Sequence, residues 1–220
     1  MKKKAVIFDM DGLMFDTEKL GYQAQGQLVK ELCLAIPFDF DYYLNQVGRS
    51  DKDVFHDLVS DIGDPALTSL FQKRTKETQA AIALDKGIPV KAGLRELLAF
   101  LEREGVACVV ASSSRRKEVT FYLELAEVTH YFKYQICGDE VAFAKPNPEI
   151  FLRAWEPLGF AKEECLILED SLNGIRAAYD AAIEVIMVPD LIAPNEEAEG
   201  KAVAILPDLH AVMAWLKDNG

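Results

Sequence analysis

Short apolar runs punctuate this chain at residues 6–8, 106–111, 134–137, 165–168 and 184–188, with a weaker one at 202–206. Most lack the in–out alternation of a half-exposed strand, so they predict strands covered on both faces, as in a parallel sheet. Between the runs, apolar residues recur at helical spacing: Leu94, Leu97, Leu98 and Leu101, then Val119, Tyr122, Leu123 and Ala126, then Ile150, Phe151, Ala154 and Leu158. Further helices are predicted over 173–181 and 209–216, and Gly105 is expected to end the helix before it. Regular alternation of strand and helix predicts an α/β, Rossmann-like parallel sheet flanked by helices.

Residues 17–87 break that alternation. Leu20, Ala24, Leu28 and Leu32 share one helical face, with Asp16 or Thr17 as the expected cap. Pro37 interrupts the pattern, and a short segment follows near 41–46. A helix with Val54, Phe55, Leu58, Val59 and Ile62 on its apolar face comes next, capped by Ser50 or Asp51. After Gly63-Asp64-Pro65 another carries Leu67, Leu70, Phe71, Thr78 and Ile82. No strand pattern occurs here, so a small all-helical cap domain is expected at 17–87, inserted after the first strand of a core made of 1–16 plus 88–220. Its two connections are expected near one sheet edge, as for a lid that opens and closes or for a rigid helical hairpin. Gly21 and Gly26 weaken the first cap helix without an evident reason in the sequence.

The formal net charge is −12 over 220 residues, which argues against nucleic acid as a partner. A small phosphorylated substrate remains compatible, since a local pocket and a metal reverse the sign where it matters. Cys33, Cys108, Cys137 and Cys165 are widely spaced and suggest neither a disulfide framework nor a zinc site. No run approaches the ~20 apolar residues of a membrane span, and the apolar stretch after the first lysines is too short for a signal sequence. A soluble, cytoplasmic monomer is expected.

The chemistry sits where the strands end. The first runs into Asp9-Met10-Asp11-Gly12, the second into Ser112-Ser113-Ser114, the fourth into Glu169-Asp170-Ser171, and Lys145-Pro146 precedes a helix. Taken alone, the first pair reads equally as a divalent-metal site or as a turn rich in Asp and Gly. Carboxyl ends of parallel strands lie along one edge, however, so all four clusters converge on one candidate pocket.

In this order, those four motifs resemble the haloacid dehalogenase superfamily of phosphotransferases, in the branch of the β-phosphoglucomutase-like phosphatases, over essentially the whole chain. The resemblance implies a phosphatase acting on a small phosphorylated metabolite such as a sugar phosphate. Asp9 would be the nucleophile, forming an aspartyl-phosphate, and Asp11 the general acid and base. Mg²⁺ would be held by Asp9, the Asp11 carbonyl and Asp170, with Glu169 acting directly or through a bound water. Ser112 and Ser113, with nearby backbone N–H groups, and Lys145 would bind phosphate. Thr17, Glu18 and Arg49 would be the substrate-facing cap residues. Arg49 matches a cap arginine that contacts a distal phosphate, but equally suits a surface pair with Asp51 or Asp53. The mutase carries a cap histidine where this chain has Gly21, which favours hydrolysis over a sugar-phosphate mutase. A non-enzymatic phosphoacceptor or phosphate-binding module is the further alternative. After the helix that follows the fourth strand, relatives commonly carry a glycine where this chain has Ala181-Ala182.

Overall fold

Ala5, Val6, Ile7 and Phe8 form the central strand of the sheet, and all four side chains are inaccessible to solvent. The computed structural model describes residues 2–49 and 51–219. The chain divides into two compact units, one made of Met1–Phe15 and Pro89–Gly220 and the other of Asp16–Ile88.

The first unit is a six-stranded parallel sheet in the order β3-β2-β1-β4-β5-β6. The strands are β1 (Ala5–Phe8), β2 (Ala107–Ser112), β3 (Phe132–Cys137), β4 (Cys165–Glu169), β5 (Val185–Met187) and β6 (Ala204–Ile205). Odd positions of β1 and β2, among them Ile7 and Val109, pack with Ile150, Phe151 and Ile175 in one apolar layer. Even positions point to the opposite face, where Phe8 meets the edge of the Phe132 ring at 5.6 Å. With helices on both faces β1, β2, β4 and β5 are buried throughout, as expected for this fold class, while the edge strand β3 exposes Lys133. The order reverses at β1, with β2 and β4 on its two sides, which is the place where open α/β sheets leave a crevice beyond the carboxyl ends.

Phe15 bridges to Val90, and the Lys91 N–H donates to the Met14 carbonyl at 2.9 Å. The two ends of the first unit's interruption are therefore side by side. The second unit holds α1 (Thr17–Glu31), α2 (Phe40–Leu44), α3 (Asp51–Ile62) and α4 (Pro65–Lys86), with no strand among its described residues. Leu28, Leu58 and Phe71 form its apolar centre. Asp64 caps α4 by accepting from the N–H groups of Ala66 and Leu67, and Pro65 suits the first turn because it has no N–H to satisfy.

Several local expectations are corrected. Asp16 occupies the N-cap position of α1 but makes no capping bond; its carboxylate binds Lys19 Nζ at 2.5 Å instead, and Thr17 lies within the helix. Helix α1 stops at Glu31, well before Pro37, because Cys33 turns into the left-handed region at φ 51°. Leu70 is 44% exposed. The buried stripe of α4 is Thr68, Phe71, Thr75, Gln79, Ile82 and Ala83. Its polar members are satisfied locally: Thr75 Oγ1 donates to the Phe71 carbonyl and Gln79 Nε2 to the Thr17 carbonyl, both at 2.8 Å. A face built this way is invisible to hydrophobic periodicity. The expected cap at Ser50 lies outside the described residues, as does the Asp51 side chain.

In the first unit, α5 (Leu94–Arg103) precedes β2 and α6 (Arg116–Leu125) follows it. Helix α7 (Glu149–Trp155) ends before Leu158, which sits in a 3₁₀ turn. Helix α8 is Leu172–Asp180, and α10 is Leu209–Asn219. The sequence pattern gave no sign of α9 (Glu196–Lys201), a mostly charged turn capped by Asn195. No described helix is long and apolar enough to cross a membrane.

The two unexplained glycines now have a local cause. A β-carbon on Gly21 would stand 2.4 Å from Tyr43 Oη, and one on Gly26 would press on the Phe38 ring at 3.3 Å. Tyr43 Oη in turn donates to Glu18 Oε2 at 2.6 Å. The glycines let aromatic rings of the following segment lie directly on α1.

Candidate active site

Asp9 is the first residue beyond β1, and its N–H donates to the Leu168 carbonyl of β4 at 3.0 Å. The strand pairing thus fixes its position. The next four residues curl tightly: the Met14 and Phe15 N–H groups both donate to the Met10 carbonyl, and Gly12 N–H donates to the Phe15 carbonyl. Gly12 has φ +83°, and a β-carbon there would stand 2.2 Å from Asp170 Oδ2. Only glycine suits both demands.

Lys145 reaches into this turn from the loop before α7, and the Lys145–Pro146 peptide bond is cis. Its Nζ lies 2.5 Å from Asp9 Oδ1 and 2.7 Å from Glu169 Oε1, and donates to the Ala111 carbonyl at 3.3 Å. The Phe151 ring closes the remaining side, with its centroid 4.7 Å from Nζ. All three charged side chains are at least nine-tenths buried. Burial pushes the Asp9 carboxyl up, to about 8, with Glu169 and Asp11 adding to the rise and Lys145 pulling it down. Burial disfavours the Lys145 ammonium, but its two carboxylate partners outweigh that and hold it above the ordinary lysine range.

Glu169 uses both oxygens. Oε1 takes Lys145, and Oε2 accepts from the Ser171 N–H at 2.7 Å and the Ser171 hydroxyl at 2.9 Å. Ser171 also caps α8 by accepting from the Gly174 N–H at 3.1 Å. A carboxylate oxygen from each of Asp9, Glu169 and Asp170 lies within 4.8 Å of the others. Three acidic groups so close call for positive charge beyond Lys145, and an all-oxygen set suits a hard divalent cation such as Mg²⁺. The residues present fit that ion.

Asp11 faces the end of β2. Its Oδ2 accepts from the Ser114 hydroxyl at 2.7 Å and the Ser112 hydroxyl at 3.2 Å. Ser112 Oγ also accepts from the Ser114 N–H at 3.0 Å, so the two serines brace one another. Ser113 has an exposed side chain, and its carbonyl packs where Gly138 has no β-carbon. The structure therefore brings together Asp9, Asp11, Ser112, Lys145, Glu169 and Asp170, and places Ser113 alongside. Ser114 was not singled out from its serine run, although its position in the run was the available signal.

The remaining expected residues belong to the second unit. Thr17 is buried and gives its carbonyl to Gln79; Glu18 accepts from Tyr43. Arg49 pairs with Asp57 at 2.7 Å and donates to the Asn45 carbonyl. The surface pair is thus made one helical turn beyond Asp53. With both side chains well exposed, it is worth little.

A family profile described as haloacid dehalogenase-like hydrolase matches residues 6–188. A phosphorylated carbohydrates phosphatase of Thermotoga maritima is 30% identical over 205 residues, covering 92% of this chain and 94% of its own. The structure of CbbY from Rhodobacter sphaeroides in complex with phosphate is similar at a TM-score of 0.82 and 26% identity, over 94% of this chain and 95% of that one. A mutant of that protein in complex with xylulose-(1,5)bisphosphate gives a TM-score of 0.81 and 25% identity over the same shares. The chain belongs to the haloacid dehalogenase-like hydrolases, alongside relatives named as phosphatases.

Proposed function

We propose that this protein is a Mg²⁺-dependent phosphatase that hydrolyses a small phosphorylated carbohydrate through an aspartyl-phosphate on Asp9. The observation that carries this reading is the division of labour between the two aspartates. Asp9 lies against Lys145 and the carboxylates of Glu169 and Asp170, whereas Asp11 accepts from two serine hydroxyls. One acidic group is thereby placed with the cations and the other where it can carry a proton.

In the first half-reaction an Asp9 carboxylate oxygen attacks phosphorus and the bond to the sugar oxygen breaks. Asp11 gives its proton to that leaving oxygen. In the second, water attacks phosphorus, Asp11 takes the proton back, and the bond to Asp9 breaks to release phosphate. Lys145 keeps Asp9 in place and offsets charge on the transferring group. Ser112 and Ser114 hold the Asp11 carboxyl. Asp9, the Asp11 carbonyl and Asp170 would hold Mg²⁺, which when bound would supply further charge neutralisation and favour the ionised form of Asp9. Because both Glu169 oxygens are engaged by protein donors, its part is to position Lys145 and, through a bound water, the cation. The second unit acts as the cap that sets specificity.

Hydrolysis is favoured over phosphate migration within the sugar by the lack of a side chain at Gly21. The mutase's cap histidine has no counterpart there, and Tyr43 Oη occupies the space a side chain would need. The test is release of inorganic phosphate from p-nitrophenyl phosphate and from a panel of sugar phosphates, with and without Mg²⁺. Turnover is expected to require Mg²⁺ and to vanish in Asp9→Asn. Undiminished turnover in that variant would overturn the mechanism. Conversion of a hexose 1-phosphate to its 6-phosphate without release of phosphate would overturn the choice of hydrolysis.

A further inference from the structure

Beyond β5 the chain reads Val188-Pro189-Asp190. Strand β5 lies beside β4 with Met187 opposite Glu169, and the Val188 N–H donates to the Glu169 carbonyl at 2.7 Å. Asp190 is thereby carried to the same edge as Asp170. Its side chain is 7% exposed, and Oδ1 takes Lys91 Nζ at 2.6 Å. The other oxygen, Oδ2, is buried and accepts no hydrogen bond from any described group. Leaving such an acceptor without a donor is costly.

The direction of that oxygen is set by Gly12. Asp190 Oδ2 lies 3.4 Å, and Asp170 Oδ2 2.2 Å, from the point where a Gly12 β-carbon would stand. Both oxygens thus close on one small space that only a glycine leaves open. Asp170 is one of the three carboxylates able to hold a cation. We infer that Asp190 is a positioning residue for the hydrated metal ion, its Oδ2 accepting a hydrogen bond from a water carried by the Mg²⁺ beside Asp170. This rests on the proposed phosphatase reading, in which that ion is present.

The chemistry suits both partners. Mg²⁺ gives up its waters reluctantly and usually keeps several. A water on the ion is a stronger donor than bulk water, and a carboxylate is the strongest acceptor a side chain offers. Lys91 takes up Oδ1 from behind, which leaves Oδ2 as the oxygen for the hydrated ion. The Lys91 backbone is itself anchored on Met14. Lys91 contributes no acceptor of its own.

The test is Mg²⁺ binding measured by isothermal titration calorimetry on the full chain, with thermal unfolding of each variant in parallel. Asp190→Asn keeps the shape and an oxygen for Lys91 while placing an N–H₂ group where the acceptor was. It is expected to weaken Mg²⁺ binding about tenfold, the lower end of what removal of an outer partner of a metal site does. Lys91→Met removes the ion pair yet leaves the carboxylate, and is expected to retain wild-type affinity or exceed it. Asp190→Asn binding Mg²⁺ as tightly as wild type, while Asp170→Ala does not bind, would overturn the inference alone. So would an equal loss in Lys91→Met, which would reduce Asp190 to a structural ion pair. Absence of Mg²⁺ binding by the wild-type chain would overturn the phosphatase reading together with this inference.

Discussion

Gly174 has no side chain where Glu169 has its carboxylate: a β-carbon on Gly174 would stand 1.8 Å from Glu169 Oε1. The first turn of α8 is therefore shaped around an acidic group on the preceding strand. Gly174→Ala must displace either the helix or the carboxylate that holds Lys145. Overpacking of this kind costs about 1–3 kcal/mol. The expected outcome is a lowered urea midpoint together with loss of most phosphatase activity, whereas a surface Gly→Ala such as Gly200, with nothing within 4 Å of its added carbon, leaves activity intact. Full activity in Gly174→Ala would show that Glu169 need not stay where it is.

Lys145 is the sole described cation bonded to both Asp9 and Glu169. Lys145→Met fits the same channel over Phe151 but leaves two buried carboxylates facing each other. Removing one partner of a buried ion pair costs about 3–5 kcal/mol. A cation then has more charge to neutralise, so addition of Mg²⁺ is expected to raise the melting temperature of the variant by more than that of wild type. Catalysis is expected to fall below detection. Equal Mg²⁺ shifts in the two proteins, followed by scanning calorimetry, would contradict the placement of the ion beside Asp9.

Ser114 Oγ makes the shorter of the two hydroxyl bonds to Asp11. Hydrogen bonds to charged groups contribute about 1.5–3 kcal/mol, and an unbraced Asp11 spends less time aimed at the leaving oxygen. Ser114→Ala is expected to lower kcat about tenfold or somewhat more, with recovery in Ser114→Thr, which restores the hydroxyl. Steady-state kinetics on one sugar phosphate decide it; an unchanged kcat would leave Ser112 as the only hydroxyl that matters.

What could be read in advance followed a physical rule. Strands buried on both faces announce themselves as unbroken apolar runs, so the parallel sheet and the polar clusters at its strand ends were legible. Ser114 and Asp190 were not, because their roles depend on which strands are neighbours. Asp190 gains meaning only when β5 lies beside β4, and a lone acid after a strand carries no pattern of its own. The buried stripe of α4 was obscured for a different reason. Thr75 and Gln79 bond backbone carbonyls nearby, so polar residues take core positions without penalty. Gly21 and Gly26 read as weaknesses in a helix until Tyr43 and Phe38 are seen to fill the space beside them.

Arg116 grips Glu140 with Nε and Nη2, at 2.6 to 3.0 Å, and Glu140 also accepts from the Cys137 N–H at 2.9 Å. The Arg116 hydrogen bond is the largest cause holding the Glu140 carboxyl below its usual range, ahead of an opposing effect of burial. A carboxyl with a depressed folded-state pKa contributes stability above its unfolded value, near 4.5, and loses it as pH falls through the lower folded value. Glu140→Gln is therefore expected to be less stable than wild type at pH 7 by about 1 kcal/mol, as for a well-aligned but partly exposed pair. The difference should close in acid, below pH 4.5. Urea unfolding at several pH values checks this, and a difference that persists at low pH would assign the loss to packing instead.

Ala182 holds φ at 55°, in the left-handed region, just after α8 ends. Its N–H donates to the Tyr179 carbonyl and the next N–H, that of Ile183, to the Ala178 carbonyl, so the strained residue closes the helix and directs the chain into β5. An L-residue with a β-carbon is disfavoured there by about 1–2 kcal/mol, whereas glycine is not. Glycine also has more freedom to lose from the unfolded chain, which offsets part of the relief. Ala182→Gly is accordingly expected to stabilise the protein by up to about 1 kcal/mol. The side chain at 182 is exposed, so no packing is lost, and kcat and KM should stay at wild-type values. A lower unfolding midpoint in Ala182→Gly would mean that the left-handed turn carries no strain to relieve.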